Sequence, residues 1–139
     1  MTPETLAICH ARAFAGLGRA WSAEEFADLL NSRHVFAVGD SRAFALGRVI
    51  GAEAELLTLA TDPVHRRQGL ASAALKAFET TAADRGASEF FVEVAADNRA
   101  ARALYRRYGY ARAARRAAYY GRPGGRREDA LILRKAAVG

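Results

Sequence analysis

The stretch Asp62-Pro63-Val64-His65-Arg66-Arg67-Gln68-Gly69-Leu70-Ala71 limits the possible folds of this chain more than any other. Before it, Glu53 to Thr61 is a run of strand-forming residues stopped by Asp62-Pro63; after it, Leu70, Ala74, Phe78 and Ala82 recur at intervals of four, and Gly86 closes the pattern. A strand passes through a short turn into a helix, the unit from which α/β sheets are built. The charges at that turn are inverted. A helix N-terminus carries unpaired backbone N–H groups and a partial positive charge, so Asp or Glu is favoured there, yet this one is preceded by Arg66 and Arg67. The two guanidiniums oppose the dipole by a few tenths to about 1 kcal/mol, and a bound anion reverses the sign. With Gly69 admitting a ligand close to the backbone, the turn suits a pyrophosphate. Taken alone, one glycine between basic residues also fits an ordinary loop.

The rest of the chain alternates in the same way. Thr2-Pro3-Glu4 caps a helix reaching about Phe14, and Ser22-Ala23-Glu24-Glu25 is a capping box for a second helix burying Phe26, Leu29 and Leu30. His34 to Val38 and Ala43 to Ile50 read as strands of a hairpin turning through Gly39-Asp40-Ser41-Arg42. After the helix from about Gly69 to Asp84, Phe90 to Val94 is a strand. Asn98 then caps a helix with Ala101, Leu104, Tyr105 and Tyr108 on one stripe, ended by Gly109. Ala111 to Tyr120 and Asp129 to Arg134 are the last strands, joined by Gly121-Arg122-Pro123-Gly124-Gly125. This order predicts one α/β domain over residues 1–139, a mixed sheet covered by helices.

Composition narrows the function classes. Cys9 is the sole cysteine, and His10, His34 and His65 fall at no ligand spacing, so neither a disulfide nor a metal site is expected. No segment has the length of a membrane span, and a cytoplasmic protein is expected. From Arg99 to Lys135, 12 basic residues face only Glu128 and Asp129, a net of +10 within a chain of +6. This charge suits either an anionic partner or a solvated face. Its arginines follow no RNA-binding signature, so direct nucleic-acid binding, as by a non-catalytic RNA or ribosome module, is the less favoured reading.

Two motifs in order carry a resemblance. Arg66-Arg67-Gln68-Gly69-Leu70-Ala71 resembles the Q/R-x-x-G-x-G/A coenzyme A motif of the GNAT N-acetyltransferase superfamily, with Ala71 in place of the second glycine. Val92-Glu93-Val94 followed by Asn98, Ala101, Leu104-Tyr105 and Gly109-Tyr110 resembles that superfamily's next strand and helix. Trp21-Ser22 with Phe26, Glu53 to Ala60 running into Asp62-Pro63, Tyr119-Tyr120 and Glu128-Asp129-Ala130 are similar to the bacterial branch that acetylates the N-terminal alanine of a small-subunit ribosomal protein. The resemblance implies a GNAT-like, mostly antiparallel sheet flanked by helices. The superfamily's first strand is short or missing here.

The resemblance also implies roles. Acetyl-CoA is the expected cosubstrate, held by Arg66, Arg67, Gln68, Gly69, Leu70, Ala71, Ser72 and Asn98 and by the backbone of Leu59, Ala60 and Thr61 on a splayed strand. Glu93 is the expected general base and Tyr105 the general acid, its phenol protonated at neutral pH with an ordinary pKa near ~10. Read without the resemblance, Glu93 also fits a structural ion pair, Tyr105 a core residue and Asn98 a plain N-cap. Glu55 is the rival base, and Trp21, Tyr119 and Tyr120 are candidates for the acceptor groove. The expected acceptor is a protein N-terminus, such as that of a ribosomal protein; another N-terminus, a lysine or a small amine are alternatives, because acceptor loops lie outside the motifs.

Overall fold

A computed structural model describes residues 1–16 and 19–137. Helix α1 (Pro3–Ala13) and helix α2 (Ala23–Leu30) begin where the sequence caps them. Thr2 Oγ1 accepts the Thr5 N–H at 3.2 Å, and Ser22 Oγ accepts the Glu25 N–H at 3.1 Å while Glu25 returns the bond to the Ser22 N–H. Strands β1 (Val35–Asp40), β2 (Ala43–Ile50) and β3 (Glu53–Thr61) form an antiparallel meander. The first hairpin is tighter than expected: the strands run to Asp40 and from Ala43, leaving Ser41-Arg42 as the turn. Helix α3 (Leu70–Asp84) leads to strand β4 (Glu89–Ala95), helix α4 (Arg99–Arg107) and the closing hairpin of strands β5 (Ala111–Gly121) and β6 (Arg127–Ala136). Both closing strands are longer than the sequence suggested, because β6 is paired on both sides and carries β5 along.

The sheet order is β1-β2-β3-β4-β6-β5, and only β3 and β4 run parallel. No strand precedes α1 among the described residues, so β1 is an edge of the sheet. One face is covered by α3 and α4, where Leu75, Phe78 and Ala82 meet Phe36, Phe90 and Val92. On the other, Leu6, Cys9 and Phe26 of α1 and α2 meet Val35, Phe44 and Leu46. Gly47 is required by close approach: a Cβ there would lie 2.6 Å from the Phe78 ring and 2.7 Å from that of Phe36. Each buried phenylalanine contributes roughly 2–3 kcal/mol of apolar transfer.

A bulge in β3 positions the site. Leu46 pairs with Thr58 while Gly47 pairs with Leu56, which leaves Leu57 as an extra residue. The facing of β3 therefore inverts: Ala54 and Leu56 pack toward α3 before the bulge, whereas Leu59 packs to that side after it and Ala60 joins the opposite cluster.

Candidate active site

Strands β3 and β4 pair only from Glu53–Glu89 to Leu56–Val92. Beyond the bulge, Leu57–Thr61 and Glu93–Ala95 have no ladder between them, and the two strands part like the arms of a V. Backbone polar groups along such an opening remain free for a ligand. Two clefts meet there. One, of about 710 Å³, is lined by the end of β3, the turn into α3 and the start of α4. The other, of about 450 Å³, is lined by Leu57, Thr58, Glu93, Trp21, Tyr119 and Tyr120 among others. Leu59, Asn98 and Tyr105 border both.

The larger cleft receives the inverted charges. Asp62 accepts the Val64 N–H at 3.0 Å and turns the chain through Pro63–His65. Arg67 (φ 65°) and Gly69 (φ 74°) are both in the left-handed region, which curls the backbone around the start of α3. Gly69 is the N-cap of α3 and offers no side-chain acceptor, whereas Asn98 Oδ1 caps α4 by accepting the Ala101 N–H at 3.2 Å. The α3 N-terminus is thus left without a side-chain cap beside the cleft, and Arg66 and Arg67 form no ion pair among the described residues. A Cβ on Gly69 would meet nothing within 4 Å, so glycine is needed for its backbone angle and leaves open space on the ligand side. This donor set suits an anion with several phosphate oxygens.

Glu93 projects from the opened end of β4. Its Oε2 accepts the Tyr120 hydroxyl at 3.0 Å, and its Oε1 lies 3.7 Å from Arg116 Nη1. Its side chain is 29% exposed, open to the smaller cleft rather than sealed in an ion pair. Tyr105 comes from α4 with 4% exposure, and burial pushes its phenol well above the usual range. Among the described residues no buried side-chain oxygen lacks a partner. Tyr105 borders both clefts. Tyr120 is raised in the same direction, by burial first and then by the charge of Glu93.

Most residues expected at the site converge. Leu59, Thr61, Arg66, Arg67, Gly69, Leu70, Ala71, Ser72, Asn98 and Tyr105 line the larger cleft. Gln68 does not: it is exposed and is not part of the cleft lining. Ala60 is buried with Phe26 and Phe44 on the other side of β3. Glu55 lies before the bulge, bound to Arg48 at 2.7 Å in a neighbouring depression that shares Val92, Glu93 and Tyr119 with the smaller cleft, and it lines neither of the two clefts itself. Trp21, Tyr119 and Tyr120, the candidates for the acceptor groove, all line the smaller cleft. Two features were missed. His10 is buried between the rings of Phe14 and Trp21, at centroid distances of 4.3 and 5.1 Å, and its Nδ1 accepts the Trp21 N–H at 3.2 Å. Arg122 is bound by both oxygens of Asp97, each at 2.8 Å. The only sequence signal for His10 is its place beside the Leu6–Cys9 stripe, and Asp97 and Arg122 are separated by 24 intervening positions without a local pattern.

A splayed parallel strand pair with an anion-receptive helix start on one side and a carboxylate on the other defines an acyltransferase architecture, and residues 10–110 match the profile of the Acetyltransferase (GNAT) family. The chain belongs to that family and is an N-acetyltransferase. Among its relatives, the [Ribosomal protein bS18]-alanine N-acetyltransferase of Escherichia coli K12 is 38% identical over 117 residues, 81% of this chain and 78% of the relative. The crystal structure of the ribosomal-protein-S18-alanine N-acetyltransferase from Escherichia coli superposes with a TM-score of 0.86 at 32% identity, covering 99% of this chain and 88% of that one. Ard1 from Thermoplasma volcanium shares the fold, with a TM-score of 0.82 at 22% identity, covering 100% and 95%. No described helix is long and apolar enough to cross a membrane.

Proposed function

We propose that the protein transfers the acetyl group of acetyl-CoA to a protein N-terminal amine, with the N-terminal alanine of ribosomal protein bS18 as its acceptor. Acetyl-CoA, when bound, supplies the thioester carbon that the amine attacks. The uncapped N–H groups at Gly69–Ser72 and the guanidiniums of Arg66 and Arg67 hold its pyrophosphate. Free backbone groups of Leu59–Thr61 hold the pantetheine arm and polarise the carbonyl. Glu93 takes the proton of the attacking amine, directly or through water, as the N–C bond forms. Tyr105 donates its phenolic proton to sulfur as the C–S bond breaks, which its burial favours by holding the phenol protonated.

The reading is carried by the approach of an uncapped α3 N-terminus and the Glu93 carboxylate to one strand opening from opposite sides. Kinship to enzymes acting on bS18 supports the choice of acceptor. Mass spectrometry of a peptide panel incubated with the protein and acetyl-CoA tests it. The expected result is acetylation at the α-amine of peptides beginning with the bS18 terminus, strongest with alanine first. Acetylation confined to lysine side chains or to small amines would overturn the acceptor, and no acetyl transfer to any amine would overturn the reaction.

A further inference from the structure

The two clefts are joined by a contact between two residues that none of the motifs includes, Asp97 and Arg122. Arg122 follows β5, and its side chain is only 5% exposed. Its Nε and Nη2 donate to the two carboxylate oxygens of Asp97 at 2.8 Å each, and its Nη1 donates to the Gly121 carbonyl at 2.9 Å. Asp97 precedes Asn98, the cap of α4, and borders the larger cleft; Arg122 borders the smaller one. The guanidinium carbon lies 5.5 Å from the centroid of Tyr120, whose hydroxyl donates to Glu93 at 3.0 Å. A continuous chain of contacts, Asp97–Arg122–Tyr120–Glu93, therefore runs from the loop beside the larger cleft to the carboxylate facing the smaller one.

We infer that Arg122 is a positioning residue for acetyl transfer, clamping the β5–β6 hairpin to the β4–α4 loop and thereby setting Tyr120 and Glu93 against the acceptor amine. The inference rests on the function proposed above. A buried guanidinium is costly unless its donors are met, and here three donors have partners while a ring covers its face. Such a group has one favourable place, which is what a positioning residue requires. The planar fork matters: a lysine would keep the charge, lose the two parallel bonds and leave Tyr120 without a flat support. Burial and the Glu93 charge raise the Tyr120 phenol while the Arg122 charge lowers it; losing the cation alone would raise the phenol further, so a phenol that ionises earlier without Arg122 reads release of the ring, independently of turnover.

The test compares wild type, Arg122→Lys, Arg122→Gln, Asp97→Asn and the Arg122→Gln/Asp97→Asn double variant, each first shown to be folded by its acetyl-CoA-dependent rise in melting temperature. Acceptor kcat/KM is expected to fall about tenfold to 100-fold in Arg122→Gln, with the KM for acetyl-CoA within about twofold of wild type. Arg122→Lys should recover part of the loss, and the double variant should be no worse than the worse single one. A tyrosine ultraviolet titration should show one more phenol ionising before alkaline unfolding in Arg122→Gln than in wild type. Additive losses, equal losses for both substrates, or unchanged acceptor kinetics would overturn the clamp. If wild type acetylates no amine, the reaction fails instead, and the phenol titration still decides whether Arg122 holds Tyr120.

Discussion

Acidification should loosen the wall of the smaller cleft through His10. The imidazole is 2% exposed, stacked between Phe14 and Trp21, and its Nδ1 accepts a backbone N–H, so the native state favours the neutral ring. Burial first, and then the charge of Arg19, lowers its pKa from 6.5 to about 4. The unfolded chain binds a proton near 6.5 that the folded chain refuses until about 4. Stability from this group is therefore complete above the unfolded value and is lost as pH falls through that window, with no further loss below it. At 1.36 kcal/mol per unit, the gap amounts to about 3 kcal/mol in all, of which about 2 kcal/mol is lost between about pH 7 and about pH 4.5. Replacing His10 by Asn keeps an acceptor near the position of Nδ1 and removes the titration. Urea unfolding of both proteins at the two pH values measures the effect. The variant loses the ring stacking and should be the less stable at neutral pH, but its deficit should shrink by about 2 kcal/mol on acidification. A deficit that stays constant would mean that His10 is not held neutral, and the reasoning from burial would fail.

Three further outcomes follow from the site. Gly69→Ala should cost about 1–2 kcal/mol because its φ of 74° strains any Cβ, while Gly69→Asp should also abolish the acetyl-CoA-dependent rise in melting temperature; an unchanged rise in a folded Asp variant would move the phosphate site elsewhere. Glu93→Gln should slow transfer most at low pH, where the acceptor amine, with a pKa near ~8, is protonated, and recover in part as pH rises; equal loss across a pH–rate profile would refute the base. Arg106, Arg112 and Arg126 are exposed and form no ion pair among the described residues, unlike Arg115 with Asp129 or Arg116 with Glu93. Replacing these three by Gln should slow acetylation of an intact ribosomal particle at low salt, the deficit fading as salt is added, and leave a hexapeptide unaffected; equal losses on both would refute electrostatic steering.

Much of the fold is local, and the sequence by itself determined that part. The Ser22–Glu25 capping box, the Asn98 cap, the Asp62-Pro63 stop and the four-residue stripe of α3 act within a turn or two of backbone, so they can be read without knowing what lies across the molecule. The turn from Arg66 to Ser72 belongs to this class as well, because its unusual charges and its glycine sit on consecutive residues. Tertiary structure decided the rest. Leu57 becomes a bulge only because β2 pairs on both sides of it, and that bulge turns Leu59 toward the larger cleft and Ala60 away from it. Glu55 and Glu93 are both glutamates on neighbouring strands, but the ladder between β3 and β4 covers Glu55 and ends before Glu93. Glu55 is left beside Arg48, whereas Glu93 receives Tyr120 from a strand 27 residues later. Asp97 and Arg122 likewise meet only when the closing hairpin folds back onto the sheet. A hydrogen bond or an ion pair depends on distance in space, and for partners this far apart in the chain only the pairing of β4, β5 and β6 sets that distance.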